Sequence, residues 1–130
     1  MSHGVFIWNE LMTPDVEKAK AFYGASLGWT YDAMPGLGGS TYWIAKADGR
    51  PVAGIIDHAD LPPGASTAWF AYIEVDDVDA RAAALPAQGG ALARPAFDIP
   101  GVGRIAIVQD ATGAMVGWLT PSMPSQPAAG

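Results

Sequence analysis

One order of elements occurs twice along this chain: a strand, a helix and three more strands. The first copy opens on FIWNELM, whose alternation predicts a strand with Phe6, Trp8, Glu10 and Met12 on one face and Ile7, Asn9 and Leu11 on the other. In TPDVEKAKAFYGASLGW, Thr13 is the expected helix cap, Pro14 suits the first turn, and Asp15 and Glu17 favour the positive end of the helix dipole. Val16, Ala19, Phe22, Tyr23 and Leu27 follow helical spacing, and Gly28 suits the stop. TYDAM reads as a strand, and TYWIAKADGRPVAGIID as two strands around an Asp48-Gly49 hairpin signal.

The pattern restarts after HADLPPGAS, a linker with two prolines and a glycine. AWFAYIEV is a strand and DDVDARAAALPAQ a helix, with Asp76 or Asp77 as its cap and Gly89-Gly90 at its end. ALARPAF, RIAIVQD and AMVGWLT are three strands, the last two joined by DATG. Setting Trp8 on Phe70 puts Glu10 on Tyr72 and Asp15 on Asp77; setting VAGI on MVGW puts Gly54 on Gly117. The expected fold class is therefore α+β, with two βαβββ modules at 5–58 and 67–121 in one domain over 1–121, and a flexible tail at 122–130.

Composition limits the function. Half of the 130 residues are hydrophobic, so a substantial core is available. A net charge of −6, with seven Lys plus Arg and no basic cluster, argues against a nucleic-acid partner. The absence of cysteine excludes disulfides, thiolate metal sites and cysteine nucleophiles. MSHGVFIW is not the start of a signal peptide, and no apolar run is long enough to span a bilayer, so no membrane partner is expected and a cytoplasmic location is the default.

Few groups can carry chemistry. His3 and His58 lack ligand spacing; His58, beside Asp57, reads as part of a solvated strand-end pair. Glu10 sits between Trp8 and Met12 on an apolar face, where a carboxylate serves as acid, base, polar anchor or hydrogen-bonded structural group. Glu74 opens the acidic run EVDD and reads as solvated. Trp8, Trp43, Phe70 and Tyr72 suit either sheet core or a cleft for a flat or apolar ligand. PGLGGS and IPGVGR are not phosphate loops and read as rim loops.

ELMTPDVEKAKAFYGASLGW, YIEVDDVDARAAAL and IAIVQDATGAMVGWLTP together resemble the vicinal oxygen chelate superfamily, which includes glyoxalase I, extradiol dioxygenases and bleomycin-resistance proteins. The likeness covers about residues 5 to 121 and is nearest the glyoxalase-like or hydroxylase-like branch. It implies two modules curving into an incomplete barrel, with the helices outside and a ligand in the cup. It also implies that the metal ligands of metal-dependent members fall here on Trp8, Gly54, Phe70 and Gly117. None of these residue types donates to a divalent ion, so no metal ligand and no cofactor is assigned. Glycine within a strand marks a close approach, which adds Gly54 and Gly117 to Trp8, Trp43, Phe70 and Tyr72 as ligand-binding candidates. Glu10 is the catalytic candidate. The expected function is metal-free small-molecule binding with acid–base catalysis by Glu10 as an option. A metal-dependent lyase, isomerase or dioxygenase and a ligand-sequestering resistance protein are the alternatives. The resemblance further implies a homodimer.

Overall fold

The computed structural model describes residues 3–36, 39–57, 66–99 and 102–122. It forms two compact units, one over Trp8–Phe70 and the other from Ala71 onward together with the N-terminal residues through Ile7. The linker histidine His58 and nearly all of the tail lie outside the described residues.

In the first unit the elements are β1 (Phe6–Thr13), α1 (Val16–Leu27), β2 (Thr30–Pro35), β3 (Thr41–Ala47) and β4 (Arg50–Asp57), in the sheet order β2-β3-β4-β1. The β3–β4 turn holds Asp48 and Gly49 at φ 52° and 76°, the left-handed pair that a tight hairpin requires. β1 runs parallel to β4, with α1 between them in sequence. The helix cap is Asp15 rather than the expected Thr13: its Oδ1 accepts the Lys18 N–H at 3.0 Å. Thr13 still belongs to β1, and its Oγ1 accepts the Asp15 N–H at 3.2 Å, so the hydroxyl fixes the turn that leads into the helix. Gly28, at φ 74°, closes α1 with an N–H bond to Gly24 O.

One face of this sheet carries the buried Leu11, Ala45, Ala53 and Ile55. The apolar stripe expected on α1 is only partly covered, since Phe22 is 62% and Leu27 58% exposed.

The second unit contains the part of β5 (Ala68–Glu74) from Ala71 on, with α2 (Val78–Ala83), β6 (Ala91–Ile99), β7 (Gly103–Gln109) and β8 (Met115–Pro121), in the order β5-β8-β7-β6. Asp77 caps α2 by accepting the Ala80 N–H at 3.2 Å. The helix stops at Ala83, short of the expected Gln88, and the chain continues as a 3-10 turn over Pro86–Gln88. Proline has no N–H to continue the helix ladder and its ring crowds the preceding turn. Val75, Val78, Leu85, Ala106 and Val108 form a buried cluster, with Val116 and Trp118 packed against it.

The first residues of the chain pair in this second unit. Gly4 N–H donates to Glu74 O at 2.7 Å, Glu74 N–H donates to Val5 O at 2.8 Å, and Asp76 N–H donates to His3 Nδ1 at 3.0 Å. Glu74 is consequently buried, correcting the expectation that the acidic run is solvated throughout. No helix among the described residues is long and apolar enough to cross a membrane.

Candidate functional site

The two units share one register. In the first, Glu10 is the parallel partner of Gly54; in the second, Tyr72 is the parallel partner of Gly117. The sequence repeat sets Glu10 on Tyr72 and Gly54 on Gly117, so these two pairings occupy equivalent places in the two copies. Residues paired across strands project from the same face. The Gly54 face therefore carries Trp8, Glu10 and Met12 of β1, Ile44 of β3 and Asp32 of β2. Trp8, Glu10 and Met12 are each half-buried.

A residue not singled out in the sequence completes this face. Tyr42 is two positions from Ile44, the cross-strand partner of Gly54, so its side chain reaches over the glycine. A Cβ at Gly54 would overlap the Tyr42 hydroxyl and the ring carbons next to it. The same hydroxyl accepts the Trp8 indole N–H at 2.8 Å. Tyr42 thus fills the place a side chain at Gly54 would take and is held there by Trp8. The only sequence signal for Tyr42 is its spacing in TYWIAKADGRPVAGI, where a two-residue hairpin puts it diagonally across from a glycine.

The second unit fills its glycine differently. A Cβ at Gly117 would overlap the ring of Tyr72, the residue paired with it. Tyr72 is 8% exposed. The room left by both glycines is occupied by tyrosines of the chain itself.

Trp43 does not join Trp8. It pairs with Ile55, one position off the Gly54 register, so it faces the other side of the sheet. There Lys20 Nζ lies 3.3 Å above its ring and 3.3 Å from a Glu17 carboxylate oxygen. Trp43, Ser40, Thr41, Asp15, Glu17 and Asp57 are among the residues bounding an open cavity of about 440 Å³ beside the start of α1. Phe70 is half-buried on β5. A second aromatic group in the first unit escaped the sequence reading. Tyr23 stacks on Trp29 at 5.1 Å, and Trp69 donates its indole N–H to the Tyr23 hydroxyl at 3.1 Å. Trp29 and Trp69 border a smaller cavity of about 290 Å³ with Asn9, Val52 and Ala53.

Electrostatically, the Gly54 face has little to offer an anion. Lys46 is bound to Asp32 at 3.0 Å, and Glu10 contributes a carboxylate. Burial pushes the Tyr31 hydroxyl above its ordinary value, with Tyr23 adding to the shift, and that hydroxyl donates to Lys20 O. At the four positions that the sequence resemblance implies for metal donors, Trp8 and Phe70 carry rings and Gly54 and Gly117 no side chain, residue types that do not fit a divalent ion. No group of three or more His, Cys, Asp or Glu side chains suited to a metal occurs among the described residues.

Residues 5–117 match the family model for the Glyoxalase/Bleomycin resistance protein/Dioxygenase superfamily. A Mycobacterium tuberculosis protein named "Putative glyoxylase CFP32" is 40% identical over 119 residues, covering 92% of this chain and 45% of that protein. The Streptomyces peucetius "Anthracycline biosynthesis protein DnrV" is 29% identical over 123 residues, covering 85% of this chain and 45% of the other. The chain thus spans less than half the length of these relatives. Among solved structures, methylmalonyl-CoA epimerase from Mycobacterium tuberculosis superimposes with a TM-score of 0.66 at 18% identity, over 98% of this chain and 95% of that one. A methylmalonyl-CoA epimerase in complex with methylmalonyl-CoA and NH4+ gives a TM-score of 0.67 at 16% identity, over 93% and 96%. At these identities the structural likeness speaks to the fold. The chain belongs to the glyoxalase/bleomycin resistance protein/dioxygenase superfamily, the vicinal oxygen chelate group.

Proposed function

We propose that this protein binds a flat, uncharged small molecule on the sheet face that carries Trp8, Glu10, Tyr42 and Gly54, without a divalent ion at the superfamily's usual positions, and that Glu10 serves the ligand as an acid–base group. Tyr72 and Gly117 in the second unit, and Phe70 and Trp43 in the first, remain separate ligand candidates. The observation that carries the reading is the placement of Glu10, an acid flanked by Trp8 and Met12 on β1 and paired with a side-chain-free position. The carboxylate is half-buried on a face that also carries the Trp8 and Tyr42 rings, and rings supply the stacking area a flat molecule needs. The relative named for anthracycline biosynthesis supports ring compounds as the class to screen first.

The charge pattern separates this reading from that of the solved epimerases. A carboxylate on the face and a lysine already bound to Asp32 give poor reception to a polyanionic thioester. The chain is therefore expected not to bind methylmalonyl-CoA.

Glu10→Gln tests the role of the acid. It retains shape and loses charge and base, so the melting temperature should hold while affinity for, or turnover of, a ring compound found by thermal-shift screening changes about tenfold or more. Unchanged affinity and turnover beside a lowered melting temperature would make Glu10 structural. Stoichiometric zinc, iron, nickel or manganese in protein purified without added ions would favour the metal-dependent alternative. The reading also takes the protein as a cytoplasmic homodimer; sedimentation of a lone 13.5 kDa species at micromolar concentration would remove the dimer.

A further inference from the structure

Asn9 is one step from Glu10 on β1 and so points to the opposite face of the strand. It borders the cavity of about 290 Å³ together with Trp29, Val52, Ala53 and Trp69, all within the first unit. The two indoles in this lining stand at 89° to each other, with ring centroids 6.1 Å apart. Tyr23 fixes that angle: it stacks on Trp29 at 5.1 Å, and its hydroxyl accepts the Trp69 indole N–H at 3.1 Å. The rings are still open to solvent, Trp69 to the extent of 39%. Among the described residues, Lys20 and Arg94 lie over the rings of Tyr31, Trp43 and Phe97, and no cation of the chain lies over Trp29 or Trp69.

We infer that the corner between Trp29 and Trp69 is a second binding site, and that it takes the head of a small quaternary ammonium compound of about the size of choline. The inference is independent of the reading of the Glu10 face. Two planes at right angles bound a corner in which a rounded group touches both rings at once, whereas a flat molecule stacks on only one. The face of an aromatic ring carries negative charge, so the rounded group it favours is a cation, and tryptophan is the best of the ring types for this contact. The net charge of −6 draws cations to the protein over a longer range. The lining also decides which cation. A primary ammonium has three N–H groups to satisfy, and the lining side chains offer one acceptor, the Asn9 amide oxygen. A quaternary ammonium has no N–H, so the rings receive it without leaving a donor unpaired, and the Asn9 amide is left for a hydroxyl on the ligand's tail.

Calorimetric titration of the full chain with choline and with 3,3-dimethylbutan-1-ol, the same shape with carbon in place of the charged nitrogen, separates charge from fit. The wild-type protein should bind choline about tenfold more tightly than the alcohol. Trp69→Leu should weaken choline binding about tenfold and erase that preference, while Trp69→Phe, which keeps a ring, should lose no more than about threefold. Phe97→Leu, whose ring already takes Arg94, should leave choline affinity within about twofold. If the melting temperature shows that Trp69→Leu does not fold, Trp29→Leu takes its place with the same expectation. No heat of binding with millimolar choline, equal affinity for the two probes, or an equal loss in Phe97→Leu would overturn the inference. So would a trimethyllysine peptide that binds about tenfold more tightly than choline, since the occupant would then be a modified protein and not a small molecule. None of these results bears on the Glu10 face, which is tested by its own ring compounds.

Discussion

The two glycine seats are built from the same register and finished by different residues. In the second unit, Tyr72 covers Gly117 from the neighbouring strand and is buried. In the first, the equivalent strand position holds Glu10, and the cover comes from Tyr42 on β3, anchored by Trp8. One ring thus serves in the second unit where a phenol and an indole meet in the first, on the face that also carries Glu10. The rest of each unit follows the contrast. The second has an apolar cluster under a short helix, and it includes the fully buried Val78 and Val108. The first has a helix without a buried residue, flanked by aromatic rings and a lysine lying over Trp43. The first unit keeps its fully buried Ile55 in the sheet, so the copies differ in how their helices pack and not in having a core.

The largest expected effect tests where packing is concentrated. Leu85→Ala removes a side chain that is 4% exposed in the second unit's core and should cost about 2–5 kcal/mol in urea unfolding. Phe22→Ala on α1, where the ring is 62% exposed, should stay within about 0.5 kcal/mol. Comparable losses would dissolve the contrast.

A smaller effect tests the seats. Gly54→Ala and Gly117→Ala should each cost about 1–3 kcal/mol through overpacking. Each loss should shrink when the covering ring is removed, so Gly54→Ala with Tyr42→Ala, and Gly117→Ala with Tyr72→Ala, should show coupling of about 0.5–3 kcal/mol. Strict additivity in the first pair would mean that Tyr42 is not the reason for Gly54. Coupling in only one pair would sharpen the comparison by showing which seat is the tighter.

The smallest effect concerns acid stability in the second unit. Two hydrogen bonds from Arg81, at 2.8 and 2.7 Å, chiefly hold the Asp76 carboxyl down from its ordinary 3.8 to about 2. A folded-state value below the unfolded one stabilises the protein above the unfolded value, and the contribution disappears as pH falls from near 4 through about 2. Asp76→Asn should therefore flatten the pH dependence of the urea midpoint across that window, more clearly at low salt because the pair is exposed. An unchanged slope would remove Arg81 and Asp76 from the unit's acid response.

Much of the frame was legible in the chain because its signals are local. Alternation along FIWNELM set the faces of β1, Asp48-Gly49 marked the hairpin, Asp77 capped α2 and Gly28 ended α1, each through the conformational preferences of a few adjacent residues. The repeat extended this reach, since it made Glu10 equivalent to Tyr72 and Gly54 to Gly117, and the structure gives the two copies equivalent pairings. Local rules failed where neighbours in space took over. Thr13 had the chemistry of a cap, yet the strand held it and Asp15 took the role. Glu74 looked solvated until residues 4 and 5 hydrogen-bonded to its backbone. Trp43 is an aromatic like Trp8, but a single step of register sends it to the other face. Tyr42 was invisible because its importance lies in an empty space on another strand. The sequence by itself determined the order of strands and helices, since residue type and local backbone preference suffice for it. Only the tertiary structure decided that Tyr42 fills Gly54 and meets Trp8, because cross-strand register, rather than chain proximity, brings those three together.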